Sequence, residues 1–207
     1  MANDELTLPC PRKSLISYFW ITTFSVFAAQ FAVDSIRKIV DIYGIRQSFF
    51  HMAIPAIFLI TLLRFSIGNV LHIRRLETKG TSPKLWLYDF SVIFLESLIL
   101  LLLGMYTWGN DLRFLKLFII LLFVDIFWVL TMIPHFLKKK RPEPLPWAWA
   151  LLNLLGVVYL SLTVWANIPL PYTDPNGPVI FFVLFVLLAF ADIYLADYYS
   201  LLKPLSS

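Results

Sequence analysis

The sequence predicts an all-α fold, a polytopic integral membrane bundle of about six transmembrane helices forming one domain over residues 1–207. Two observations carry that prediction. Hydrophobic residues make up 59% of the chain and charged ones 14%, with a mean hydropathy of +0.78; a soluble domain averages about 45–50% apolar and about 25% charged residues. In water so little polar surface would leave large apolar patches, and lipid removes that conflict. The apolar residues also fall into runs close to the roughly 20 residues that carry a helix across a hydrocarbon core of about 30 Å. Strand-type alternation of the kind a membrane barrel needs is absent from the sequence. Lipid requires backbone groups to be satisfied within a segment, so these runs read as helices.

The first run, residues 15–33, holds no charge. The opening Met1–Leu6 is acidic and polar rather than basic, so this run is expected to remain as a span and not to be removed as a signal peptide. Residues 34–43 follow with Val33, Ile36, Val40 and Tyr43 near one helical face and Asp34, Arg37, Lys38 and Asp41 around the other. They form either an amphipathic interfacial helix ended by Gly44 or the tail of a long, tilted first span. The second run, 49–71, contains Arg64, and the third, 85–107, contains Asp89 and Glu96. The fourth, 115–133, has Lys116 near its start and Asp125 at its middle. The fifth, 147–168, is uncharged but holds Asn153, and the sixth, 179–199, carries Asp192 and Asp197.

Helix-stopping residues separate the runs: Gly80 and Pro83, then Gly109 to Asp111, then Pro142, Pro144 and Pro146, then the segment from Pro169 to Pro178. Connections this short leave no room for a separate soluble domain. Basic residues are segregated among them. One side collects Arg12, Lys13, Arg74, Arg75, Lys79, Lys84, Lys138, Lys139, Lys140, Arg141 and Lys203, the other only Arg37, Lys38, Arg46, Arg113 and Lys116. The positive-inside rule then places both termini in the cytoplasm, with a plasma (inner) membrane as the expected location. This segregation also accounts for the net charge of +4 without nucleic acid, for which no basic-aromatic module is present.

Phe123-Val-Asp-Ile-Phe127 and Phe190-Ala-Asp-Ile-Tyr194 place an aspartate in a similar frame, and Arg64-Phe65 sits at comparable depth in the second run. Three hairpins starting from one side would produce this pattern, and so would chance within an apolar alphabet. Ionisable residues near the middle of a span cost about 2.5–3.5 kcal/mol on insertion scales, so they normally face other helices or a wet cavity. The set here is Arg64, Asp89, Glu96, Asp125 and Asp192. Arg64 stays charged and must pair or reach water; Asp89, at matching depth on the next helix, is the first expected partner. Asp89 and Glu96 are seven residues apart and share a helix face. Four carboxylates against one arginine is an excess of acid, so the remainder must stay neutral or meet water. Gly68, Asn69 and Asn153 add helix–helix hydrogen bonders. Trp20, Trp86, Trp108, Trp147, Trp149 and Trp165, near span ends, read as an interfacial belt.

Other chemistry is not legible. His51 and His72 lie at opposite ends of one span, and His135 has no second ligand at helical spacing, so no metal is expected. Cys10, the single cysteine, has neither a disulfide nor a zinc partner. No nucleophile elbow or phosphate loop occurs, and no cofactor is implied. Tyr88-Asp89 matches half of the intramembrane aspartyl protease motif pair, but the Gly-x-Gly-Asp half is absent. Three functions stay open. One is a channel or transporter for protons or small cations, its path lined by Asp89, Glu96, Asp125 and Asp192 with Arg64 paired to one of them. The second is an anchoring or sensing subunit presenting Arg74, Arg75 and Lys138, Lys139, Lys140 and Arg141 to a cytoplasmic partner or to anionic lipid. A lipid-modifying enzyme is the third, without a motif to support it. The bilayer is the surrounding partner, and a homo-oligomer is expected because one small bundle buries limited polar surface.

Overall fold

The computed structural model describes residues 11–79, 83–108, 111–137, 145–165, 183, 186–191 and 194. It is an all-helical membrane bundle, with α1 (Pro11–His51), α2 (Ala53–Lys79), α3 (Pro83–Met105), α4 (Asp111–Leu137) and α5 (Leu145–Trp165). Residues 186–191 are helical as well. Among the described residues, four stretches are long and apolar enough to cross a membrane: Ile16–Gly44, Ala53–Val70, Lys84–Met105 and Leu112–Thr131. A shorter apolar stretch, Trp149–Leu162, forms the body of α5. The middle loops and most of the sixth expected span, Asp192 included, lie outside the described residues.

Proline placement shows why several helices start where they do. Pro83 opens α3, and Pro55 and Pro146 sit in the first turns of α2 and α5. A missing N–H is harmless there because those amides have no intrahelical acceptor. The C-terminus of α3 tightens into a turn in which Tyr106 N–H bonds Leu103 O at 3.0 Å and Thr107 N–H bonds Gly104 O at 3.3 Å.

Burial is inverted relative to a water-soluble core. Phe19 is 62% exposed and Phe127 63%, whereas Asn153 is 1% and Glu96 0% exposed. Large apolar side chains face outward because lipid solvates them, and the ionisable groups turn inward because lipid does not.

Residues 34–43 are part of the first helix. α1 runs on to Gly44, and its buried stripe of Ala28, Ala32, Ser35 and Ile39 continues at helical spacing through the charged segment. The segment is helical in continuity with residues 16–33 and keeps the same packed face. Arg37 and Asp34 pair at 3.7 Å on the exposed side. The 29 residues of Ile16–Gly44 amount to about 44 Å of helix, more than the hydrocarbon core requires.

Gly44 breaks the helix at φ 69° and ψ 164°, a combination essentially closed to residues with a Cβ. Gly44→Ala should destabilise by about 1–3 kcal/mol. Gly68→Ala, in the body of α2 with open space around its added methyl, should instead be neutral or gain up to about 1 kcal/mol. Thermal unfolding of the two variants in the same detergent checks the contrast.

Side-chain pairings define the packing. α1 lies against both α2 and α3, and α4 bridges α3 and α5. Tyr88 with Thr131, and Asp89 with Trp128, show α3 and α4 antiparallel. The bundle therefore has a Lys84 end, where α3 and α5 begin and α4 finishes, and an opposite Thr107 end. Near the latter, Phe58, Phe114 and Phe118 are fully buried, their rings meeting edge to face at 6.4 Å and 5.9 Å.

Candidate functional site

The polar groups gather between α2, α3, α4 and α5, in two levels along the bundle. At the middle level, Arg64 of α2 donates from Nη2 to Asn153 Oδ1 of α5 at 2.5 Å. The same amide donates from Nδ2 to Asp125 Oδ2 of α4. Asn153 thus holds a guanidinium on its oxygen and a carboxylate on its nitrogen, the orientation in which its dipole suits both charges. Local packing explains the register. Gly156, one turn beyond Asn153, lies so close to α4 that an added Cβ would sit 3.0 Å from Leu122 Cδ1. A larger residue there would crowd the buried Leu122 side chain.

Glu96 of α3 belongs to the same level. It is 0% exposed, and its Oε2 accepts a hydrogen bond from Asn69 Nδ2 of α2 at 3.2 Å. Its Oε1 is buried without a hydrogen-bond partner among the described residues. Asp125 and Arg64 both act electrostatically on the Glu96 carboxyl. Arg64 also packs its guanidinium 5.2 Å from the Phe65 ring centroid. It borders a small cleft lined by Thr61, Leu122, Gly156, Leu188 and Ala189, with room for at most about one water molecule.

The second level lies toward the Lys84 end. Trp128 Nε1 donates to Asp89 Oδ1 at 2.9 Å. Tyr88 and Thr131 hydroxyls are 2.5 Å apart, and Thr131 donates to Trp128 O at 2.7 Å. Trp149 packs against the same cluster, its indole Nε1 buried with no hydrogen-bond partner among the described residues. Asp89 is 1% exposed.

Two expectations are corrected here. Arg64 is bonded to Asn153 and grouped with Asp125 and Glu96, while Asp89 is held by Trp128 one level away; the expected Arg64–Asp89 pairing gives way to these. Equal depth on neighbouring helices specifies height but not which face each helix turns, and α2 meets α5 at Arg64. Trp149 is also not a simple belt residue, since it packs into the buried second level. Trp128 was missed by the sequence reading altogether. Its signal was position: it lies mid-span, three residues from Asp125, while the belt tryptophans lie at span ends.

Of the expected site residues, Arg64, Glu96 and Asp125 are brought together, and Asp89 lies two turns from Glu96 on the same face of α3. Asp192 and Lys138 to Arg141 lie outside the described residues, as do the side chains of Arg74 and Arg75, whose backbone forms the end of α2. Among the described residues no three His, Cys, Asp or Glu side chains group as metal ligands. No family model, curated protein or solved structure matches this chain.

Proposed function

We propose that this chain moves protons or small cations across a membrane, with Glu96 as the carboxyl that takes up and releases the ion. The observation that carries the reading is Glu96 itself: wholly buried, tethered through Oε2, and with Oε1 unbonded among the described residues. A carboxyl kept only for packing would be expected to have both oxygens satisfied, because a buried unmade hydrogen bond costs about 1–3 kcal/mol. An open oxygen in a low-dielectric interior is a position for a transferable proton. Asp125 and Asn69 tune and orient it, and Arg64, fixed by Asn153, is the permanent counter-charge.

The geometry favours the proton over a larger ion. A hydrated cation needs several oxygens and more space than the one-water cleft beside Arg64 provides, and the guanidinium repels a second cation. In this proposal both termini are cytoplasmic in the plasma membrane, and copies associate as a homo-oligomer. The anchoring alternative draws on Arg74, Arg75 and the basic segment 138–141, whose side chains lie outside the described residues.

The test is reconstitution of the whole purified chain into liposomes under an imposed pH gradient, followed with an entrapped pH dye. Wild-type protein should dissipate the gradient, and Glu96→Gln should slow that by about a hundredfold or more while eluting as wild type on gel filtration. Wild-type liposomes that leak protons, Na⁺ and K⁺ no faster than empty ones would sink the reading.

A further inference from the structure

We infer that Glu96, Asp125 and Arg64 form one charge set, in which the two carboxyls and the guanidinium hold a single proton between them, and that this proton resides on Glu96. The inference rests on the proton reading of Glu96 and deepens it. It fixes how many protons the site carries and makes Asp125 a positioning residue for the one on Glu96.

Three helices supply the set, and α5 bonds two of its members together. Arg64 of α2 donates to Asn153 Oδ1, and Asn153 donates onward to Asp125 Oδ2 of α4. Glu96 of α3 stands beside this chain. Its Oε2 is met by the neutral amide of Asn69 at 3.2 Å, and its Oε1 by no hydrogen-bond partner among the described residues. The charged groups that act on it are Asp125 and Arg64. From α1, which also packs on α3, come apolar rings, Trp20 and Phe24 against Phe94, and residues 14–33 carry no charge. The two carboxyls therefore feel one another and the same cation.

Burial makes the charge arithmetic strict. An uncompensated charge held away from water is far costlier than a neutral group. With both carboxyls ionised the set has one negative charge too many; with one proton it is neutral. Carboxyls this strongly linked titrate as a pair, and their bonding decides where the proton sits. Asp125 receives an N–H from an amide whose oxygen already carries the guanidinium, an arrangement that suits a carboxylate. Glu96 receives a neutral donor on one oxygen only. In a protonated carboxyl the carbonyl oxygen is the better acceptor, so Oε2 takes the Asn69 N–H and Oε1 carries the hydrogen. Asp125 neutralises Arg64, and Glu96 is thereby left able to hold a proton.

Release breaks the O–H bond at Glu96 Oε1 and gives the proton to water, with no change of redox state; uptake reverses the step. The loaded set is neutral and suits a dry interior, while the emptied set does not. The site accordingly opens to water before it empties.

Two measurements on the whole purified chain test this. Infrared spectra near neutral pH, with deuterium exchange to identify acid C=O bands, count protonated carboxyls; carboxyls elsewhere give a background common to every variant. Relative to Glu96→Gln, in which Arg64 and Asp125 cancel, wild type should show one further band. Asp125→Asn keeps an oxygen for Asn153 and should lose that band, because Glu96 alone then balances Arg64. Arg64→Gln should show a second band, and Arg64→Gln combined with Asp125→Asn should return to one. In liposomes Asp125→Asn should slow proton flux by about a hundredfold, as Glu96→Gln does. The double variant should recover to within about tenfold of wild type, a recovery that a merely structural Asp125 does not predict. A band unchanged in Asp125→Asn, or a double variant as slow as the single one, would overturn the shared proton and leave flux through Glu96 standing on its own test. The full band pattern in protein that carries no flux would instead remove the transport reading and leave the shared proton in place. Should Asp125→Asn not fold, the band count in Arg64→Gln decides: one band there, as in wild type, overturns the set.

Discussion

Asn153→Leu should destabilise the bundle by about 2–4 kcal/mol, an outsized effect for one neutral side chain. Leucine is close to asparagine in size, so the change leaves little cavity. It removes the acceptor for Arg64 and the donor to Asp125 at once. Neutral hydrogen bonds between membrane helices average only about 0.6 kcal/mol, which would make two such losses barely measurable. The larger expectation comes from charge. Bonds to ionised groups contribute about 1.5–3 kcal/mol each, and breaking up a buried ionic group is worse than never having had one. A second substitution separates these explanations. If the damage is an uncompensated guanidinium, adding Arg64→Met to Asn153→Leu should restore much of the lost stability, because an apolar replacement of a buried ionic network is often neutral. If the damage is lost packing, the double variant should be worse than either single one. Unfolding of the four proteins in one detergent completes the cycle.

That expectation also shows how far the sequence could be read. Arg64, Glu96 and Asp125 stand out in any scan for charge within apolar runs, and lipid allows them few places except the bundle interior. Their partners do not stand out. Whether Arg64 meets Asp89 or Asn153 depends on the rotation of each helix about its axis, and hydropathy in uniformly apolar spans barely constrains rotation. A small residue marks the contact: Gly156, one turn from Asn153, faces the Leu122 side chain of α4 on the side that carries the amide. Helix boundaries are legible where Gly or Pro marks them, as at the Gly44 break and the Pro83 start. Asp34, Arg37, Lys38 and Asp41 end the hydropathy of the first apolar run at residue 33, while Ala28, Ala32, Ser35 and Ile39 carry the packed stripe of its helix onward. A water-facing charged side and a bundle-facing small side can coexist on one helix, and a window average sees only their sum.

Gly104→Val should separate α1 from α3, with a loss of about 3 kcal/mol or more, at the upper end of overpacking effects. A Cβ at Gly104 would lie 2.9 Å from the Ala28 carbonyl oxygen, 3.3 Å from Ala28 Cα and 3.3 Å from Phe58 Cζ. Two of these neighbours are backbone, so no rotamer change relieves the contact, and α1 itself has to move. The third belongs to the fully buried Phe58 ring, which has no free volume to enter. Valine adds two methyls to that conflict, whereas Gly104→Ala should show a smaller loss of the same sign. The movement has its own reporter. Ser35 and Thr107 hydroxyls stand 2.6 Å apart between the same two helices, just beyond the glycine. In a Cys10→Ser background, Ser35→Cys with Thr107→Cys should form a cross-link under mild oxidant when residue 104 is glycine and fail to form one when it is valine. Efficient cross-linking in the valine variant, with unfolding unchanged, would mean that α1 and α3 do not depend on that close approach. Phe58 would then have to be held in place by its own helix α2 and by Phe114 of α4.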